Sequence, residues 1–463
     1  MAENQGNKIG LLDTTTILVG GMIGSAIFSL SGVTLGNAGP AAILSWVVAG
    51  LILLAYGLIC AELCSAYPNS GGVFMFPAKT FAKGGKEGKL FGWITAWAYL
   101  FGCVGGMVFS ASYVATYMGI AIPAFQIPGD PYMSPLPAVA ITIGVLTVLI
   151  CGILNVFQIG TTGKVNTVLT ILLAATMIIF VITAFVARTP DGAVAFNGGN
   201  FSPFFAGNQG GTGFFTAIPV AMLAYGSIVA AAFMVGEIKD PNKTIPTAMG
   251  IAMAITIGLY VLVMIATVGL ISIDTLNATH MTYTPQFGAA WMTLGHITWL
   301  PKLVAFAAVL GLLTTALVLV ILAARTLQAA ALSGVIPKRF AETNKNGIPL
   351  FATIVVTVIG VIFVAFPTLT PFIINFGGLS NALVVAILCY TVLEVRKQGK
   401  NTAFKAPGGS FLPILVMVIL VVCYLIGIYG DVVGGTYDVI QLIVITIVYY
   451  IIGLGIYFLG GKK

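Results

Sequence analysis

VGGMIGSAIF, residues 19–28, sets Gly20, Gly21, Gly24 and Ser25 in the middle of an otherwise apolar run. Each glycine lowers helix stability by about 1 kcal/mol relative to alanine, so the cluster marks either close helix packing or a break. Gly20 and Gly24 have GxxxG spacing, which packing alone explains. A break would instead present amide N–H groups of a second half-helix to an anion and carbonyls of the first half to a cation. About 200 residues later AMLAYGSIVAAAF, residues 221–233, again centres small and polar residues (Tyr225, Gly226, Ser227) in an apolar span. Interrupted spans at matching positions of two halves point to an inverted-repeat transporter with its site at the membrane midplane.

Composition places both stretches in a bilayer. The chain has 463 residues, 59% apolar and only 7% charged, with 56 glycines, and a mean hydropathy of +1.07. Soluble proteins carry about 25% charged residues, so soluble folds are excluded. Runs such as LVMVILVVCYLIGIYG, residues 415–430, do not alternate, which excludes a transmembrane barrel. The fold class is an all-α membrane protein. Apolar runs predict twelve spans: 14–36, 40–67, 91–120, 137–155, 161–187, 213–236, 244–272, 301–333, 350–366, 370–396, 411–430 and 438–459. The longest connections, 188–212 and 272–300, are too short for an inserted soluble domain.

With the N-terminus inside, one side of the membrane receives Lys8, Lys79, Lys83, Lys86, Lys89, Lys239 and Lys243, then Lys338, Arg339, Lys345, Arg396, Lys397, Lys400, Lys405, Lys462 and Lys463. The other side receives only Arg188 and Lys302 among basic residues, beside Asp130, Asp191, Asp274, Asp431 and Asp438. By the positive-inside rule both termini are expected to be cytoplasmic, and the plasma membrane is the expected location. The N-terminus reads as retained, because its polar start lacks a small-residue cleavage site. The net charge of +7 therefore reflects lipid-facing loops and implies no nucleic-acid partner.

Four stretches carry a family resemblance: GGMIGSAIF at 20–28, GPAAILSWVVAGLILLAYGLICAELCSAYPNSGGVFMF at 39–76, AYGSIVAAAFMVGEIKDPNKTIPTA at 224–248 and ARTLQAAALSGVIPKRFAETNKNGIPL at 324–350. On these the chain resembles members of the amino acid-polyamine-organocation superfamily over residues 8–400. The resemblance implies a core over 1–400, with inverted five-helix repeats at 14–187 and 213–396, and two further helices over 401–463. It implies secondary active transport of amino acids or amines by alternating access. It also implies that the amides around Gly24, Ser25 and Ala26, beside Ile23, take a carboxylate, and that the carbonyls of Met22, Leu223 and Gly226 take an ammonium. Members usually have glycine where this chain has Ala26.

Specificity is then expected from Tyr225, Ser227, Cys103, Met107, Leu319, Gly377, Gly378 and Ser380. None of these is charged, and an unpaired buried charge costs several kcal/mol, so a neutral L-amino acid is the expected substrate. Amines, polyamines or cationic amino acids are the alternative on the same fold, and a channel or sensor the alternative from another class. Glu62, Lys164, Glu237 and Arg325 lie near the cytoplasmic ends of spans, either pairing to gate the inward path or forming static helix-end pairs.

Resembling carriers that couple to protons place a lysine where this chain has Leu173, and some antiporters an acidic residue where it has Val229. Thr314 and Thr315 allow a sodium site or simple self-bonding within the helix. Proton and sodium coupling stay open beside obligate exchange, as does a homodimer. The six cysteines fall within apolar runs and read as core residues. His280 and His296 lack the surrounding ligands of a metal site. No nucleophile–base pair is gathered at one depth, so neither enzyme activity nor a cofactor is expected.

Overall fold

A computed structural model of the chain describes residues 8–68, 72–82, 87–129, 134–157, 159–279, 281–367, 370–433 and 439–460. Within them the architecture is helical, with three isolated β-bridges and no strand. Span 1 is two helices, α1 (Leu11–Met22) and α2 (Ser25–Ala38). Gly39 then adopts φ +67° in a short turn, where a side chain would meet the Ala206 backbone, and the chain reverses into α3 (Ala42–Ala66). A short helix, α4 (Gly72–Thr80), precedes α5 (Glu87–Ala121), α6 (Pro137–Leu154) and α7 (Ile159–Val186), which complete the first repeat.

The second repeat begins with α8 (Gly210–Leu223), which gives way to an eight-residue 3-10 helix over Gly226–Phe233. It continues through α9 (Pro241–Leu270), the short α10 (Ile273–Ala278) and α11 (Pro285–Leu294), α12 (Trp299–Leu332), α13 (Leu350–Val364) and α14 (Thr370–Lys397). Two further helices follow, α15 (Phe411–Val433) and α16 (Val439–Gly460). This is the five-plus-five inverted repeat with discontinuous spans 1 and 6 expected from the sequence.

Eight stretches among the described residues are long and apolar enough to cross a membrane unaided, and one of them, Ala26–Ala66, holds both α2 and α3. Leu11–Met22, Leu350–Val364 and Phe411–Cys423 are shorter apolar helices. Three elements were not expected: α4, α10 and α11, the last two lying in what reads as a plain connection. The predicted α-helix through 236 was wrong after Leu223, where the backbone tightens to 3-10 geometry. Runs of that geometry beyond three or four residues are uncommon and often mark a hinge.

The helices divide by surroundings. In α12 72% of the apolar window is buried inside the protein, against 6% in α16, so the first is core and the second offers its flank to lipid. α5 packs against α12 and α14 as the central wall. α16 is fixed to the outer side of that wall, where Trp93 and Trp97 donate their indole N–H groups to the carbonyls of Gly453 (2.7 Å) and Tyr449 (3.0 Å). In hydrocarbon these donors would otherwise go unmet, at a cost of several kcal/mol each.

Candidate functional site

The break in span 1 comes from two residues outside helical geometry, Ile23 (φ −73°, ψ 94°) and Gly24 (φ −162°, ψ −129°). α2 restarts at Ser25 with no side chain capping it. The first four amides of a helix have no partner within it, here those of Gly24, Ser25, Ala26 and Ile27. Together with the helix dipole they carry about half a positive charge. On the other side of the break, the Tyr260 hydroxyl donates to the Met22 carbonyl at 2.5 Å. That carbonyl, expected to be free for an ammonium, therefore already has one donor.

The break in span 6 is of the opposite polarity. The amides of Ala224 and Tyr225 bond back to Ala221 and Met222, and the 3-10 ladder restarts on the Tyr225 carbonyl. Among the described residues no backbone donor meets the carbonyls of Leu223 and Ala224. Donors on one span thus stand near acceptors on the other. Behind both breaks Trp46, Tyr225 and Tyr260 form an aromatic cluster, with centroids 5.1 to 6.3 Å apart.

Between the breaks lies a cavity of about 130 Å³. Of the residues singled out in the sequence, Met22, Ala26, Cys103, Leu223, Gly226, Ser227, Leu319 and Gly377 line it. Gly24 sits at its edge, pressed against Gly311 and Thr315 of α12. Four of the expected residues lie off the lining. Tyr225 is fully buried away from the cavity, its hydroxyl donating to the Trp46 carbonyl at 3.1 Å, because the turn after Leu223 rotates it out of phase with its helix. Met107 flanks the cavity-facing stripe of α5 and packs on Gly360 of α13. Ile23, wholly buried, is likewise absent from the lining. Ser380 is buried outside the cavity. The Ser25 and Lys164 side chains, the surroundings of Gly378, and His280 lie outside the described residues.

The lining adds residues the sequence reading missed, chiefly Tyr99, Thr315 and Asn381. Tyr99 and Cys103 stand one turn apart on α5, the i, i+4 relation that could have exposed the first from the second. Thr315 was considered only for an ion. Its hydroxyl is buried with no partner, whereas Thr314 bonds back to the Gly311 carbonyl at 2.9 Å. Leu173 is fully buried beside Gly311, and Val229 is buried in the 3-10 helix.

Two ion pairs lie on the side of the basic loops. Glu237, after the 3-10 helix, accepts from Arg325 of α12 at 2.8 Å, with side chains 33% and 18% exposed. Next to it Ile9 and Ile238 form a parallel bridge, tying the start of span 1 to the end of span 6. Glu62 of α3 is fully buried and accepts from Arg396 of α14 and from the Ala406 amide. The pairs differ at the carboxylate, one-third exposed in Glu237 and wholly buried in Glu62, while the two arginines are alike at 18% and 17%.

Residues 9–455 match the model of a family described as amino acid permease. A branched-chain amino acid permease of Bacillus subtilis is 27% identical over 421 residues, covering 88% of this chain and 85% of the relative. An aspartate-proton symporter of the same organism is 27% identical over 356 residues, covering 74% of this chain and 64% of the relative. A serine/threonine exchanger, also of Bacillus subtilis, is 27% identical over 302 residues and covers 62% of each chain.

Proposed function

We infer the function from the family to which this chain belongs, the amino acid permeases: it is an amino acid transporter of the membrane. We propose further that it exchanges neutral L-amino acids by alternating access, with the substrate held between the broken centres of spans 1 and 6. The amides at the start of α2 take the carboxylate and the carbonyls of Leu223 and Ala224 take the ammonium. The observation that carries the reading is the lining, in which no residue is charged. A cationic or acidic side chain there would be buried without a counter-charge, at a cost of several kcal/mol. The relatives bear names for branched-chain, acidic and hydroxyl substrates at equal identity, so the reading rests on the cavity lining.

The working unit is residues 1–400, with repeats over 14–187 and 213–396 and two added helices over 401–463, set in the plasma membrane with both termini cytoplasmic. Exchange fits the hydrocarbon of Leu173 at the position where resembling proton-coupled carriers place a lysine. The Glu237–Arg325 pair, whose carboxylate is the more exposed of the two, closes the path toward the basic loops, while Glu62–Arg396 stays made throughout. Arg325→Met should therefore change exchange kinetics and the inward-open population. If Arg396→Met produced the same kinetic change at unaltered stability, the division of roles between the pairs would be wrong.

Counterflow in proteoliposomes tests the main reading. Uptake of a labelled neutral amino acid should accelerate when unlabelled substrate is inside; flux that does not saturate would reject a carrier. Sodium symport is the second reading, favoured by the unpartnered Thr315 hydroxyl beside the helix 1 break. Uptake driven by a sodium gradient into vesicles without internal amino acid would establish it.

A further inference from the structure

We propose that Asn381 makes this cavity select amino acids whose side chains carry an uncharged hydrogen-bonding group, a hydroxyl or an amide, over aliphatic ones. The proposal rests on the reading of this cavity as the amino acid site.

Asn381 projects from α14 into the lining and is half-buried. Its amide, which faces the cavity, meets no hydrogen-bond partner among the described residues. A primary amide has two donors and two acceptor lone pairs to satisfy. It stands beside the span 6 break, where a Cβ added to Gly226 would lie 3.9 Å from its nitrogen. The zwitterion does not need it, because the two breaks supply amides and carbonyls from the backbone. The amide is left to face the rest of the ligand.

Polarity across the cavity supports this direction. Phe109 lies ten residues further along α5 than Tyr99, toward the end away from the basic loops, and Leu30 stands on the same side in α2. Tyr99 and Cys103 of α5 and Ser227 after the break share the other side with Asn381. A substrate side chain directed toward the basic loops meets the hydrogen-bonding groups of Tyr99, Cys103, Ser227 and Asn381 beside the hydrocarbon of Leu322, while Thr315 adds a hydroxyl on the far side. Covering Asn381 with methyl groups strips its water and returns nothing, and a buried polar group left unpaired is penalised more than a satisfied one is rewarded. A hydroxyl or amide on the ligand replaces that water.

Threonine and valine give the sharpest probe, since they differ by one hydroxyl in place of one methyl. With the full-length protein in proteoliposomes, threonine should compete for exchange about tenfold better than valine, the factor one net hydrogen bond supplies. Asn381→Leu should bring the two within about twofold, with valine competing better than in the unsubstituted protein, and Asn381→Gln should restore part of the threonine preference. Valine equal to or better than threonine in the unsubstituted protein overturns the proposal without any variant. Equal weakening of both by Asn381→Leu also overturns it, since Asn381 would then hold the zwitterion. Absence of exchange for every amino acid would sink the carrier reading and this proposal with it, whereas valine exchange without threonine preference sinks this proposal alone.

Discussion

The two helix breaks line one cavity, yet their glycines are there for different reasons. At span 1 the backbone is squeezed: a Cβ on Gly24 would fall on the Thr315 hydroxyl and lie 2.6 Å from the Gly311 carbonyl, and one on Gly21 would lie 2.8 Å from Ser227 Cβ. At span 6 the nearest atom to a Cβ on Gly226 is the Asn381 nitrogen, at 3.9 Å. The first break is a joint pressed between helices, and only glycine fits it. The second has room, which the proposed substrate would use. Donors therefore sit on a backbone fixed by packing, while acceptors sit on one that is free to adjust.

Gly24→Ala should break that comparison most violently. Overpacking of this kind costs about 3 kcal/mol, so thermal stability in detergent should fall and exchange should be lost. A variant with full activity would mean that α12 is not pressed against the break. Tyr260→Phe should have a middling effect. Losing the hydroxyl on the Met22 carbonyl removes about 1 kcal/mol of support, read as roughly fivefold weaker substrate competition with little change in expression.

Gly226→Ala should leave stability unchanged or raise it by about 0.5 kcal/mol, since the new methyl meets open space and alanine restricts the unfolded chain. Its effect should be size-dependent, with affinity falling for the larger substrates and holding for glycine or alanine. Uniform loss across substrate sizes would show that the span 6 break is as constrained as the first. Thr315→Val should do least to folding, because removing an unpartnered buried hydroxyl is neutral or mildly stabilising. Loss of uptake confined to sodium-containing medium would give that hydroxyl an ionic role.

Much of this was legible in the sequence. Twelve spans followed from hydropathy and loop charge because a bilayer requires long apolar runs and sorts basic residues. The break at Gly24 was legible only beside the matching stretch in span 6, because packing alone explains the glycines of span 1. Side-chain direction after a break was not. Tyr225 faces the Trp46 cluster because the chain leaves helical phase at Leu223, and no helical wheel carries through such a turn. Asn381 went unnoticed for a related reason: its stretch of α14, GGLSNALVV, is broken by small residues, and only the approach of α5 and α8 turns it into a cavity wall. α10 and α11 were hidden because short helices joined by threonine, proline and glycine resemble loop in composition.

The central claim is that backbone groups at two breaks read both charges of an amino acid. Competition by three forms of one side chain tests it most directly: the neutral amino acid, the amine lacking its carboxylate and the acid lacking its ammonium, each against exchange of labelled substrate in proteoliposomes. The account predicts competition by the zwitterion and at least about a hundredfold weaker competition by either half-molecule, the loss expected when a charge-assisted contact worth about 3 kcal/mol is removed. Equal potency of the amine and the amino acid would contradict it.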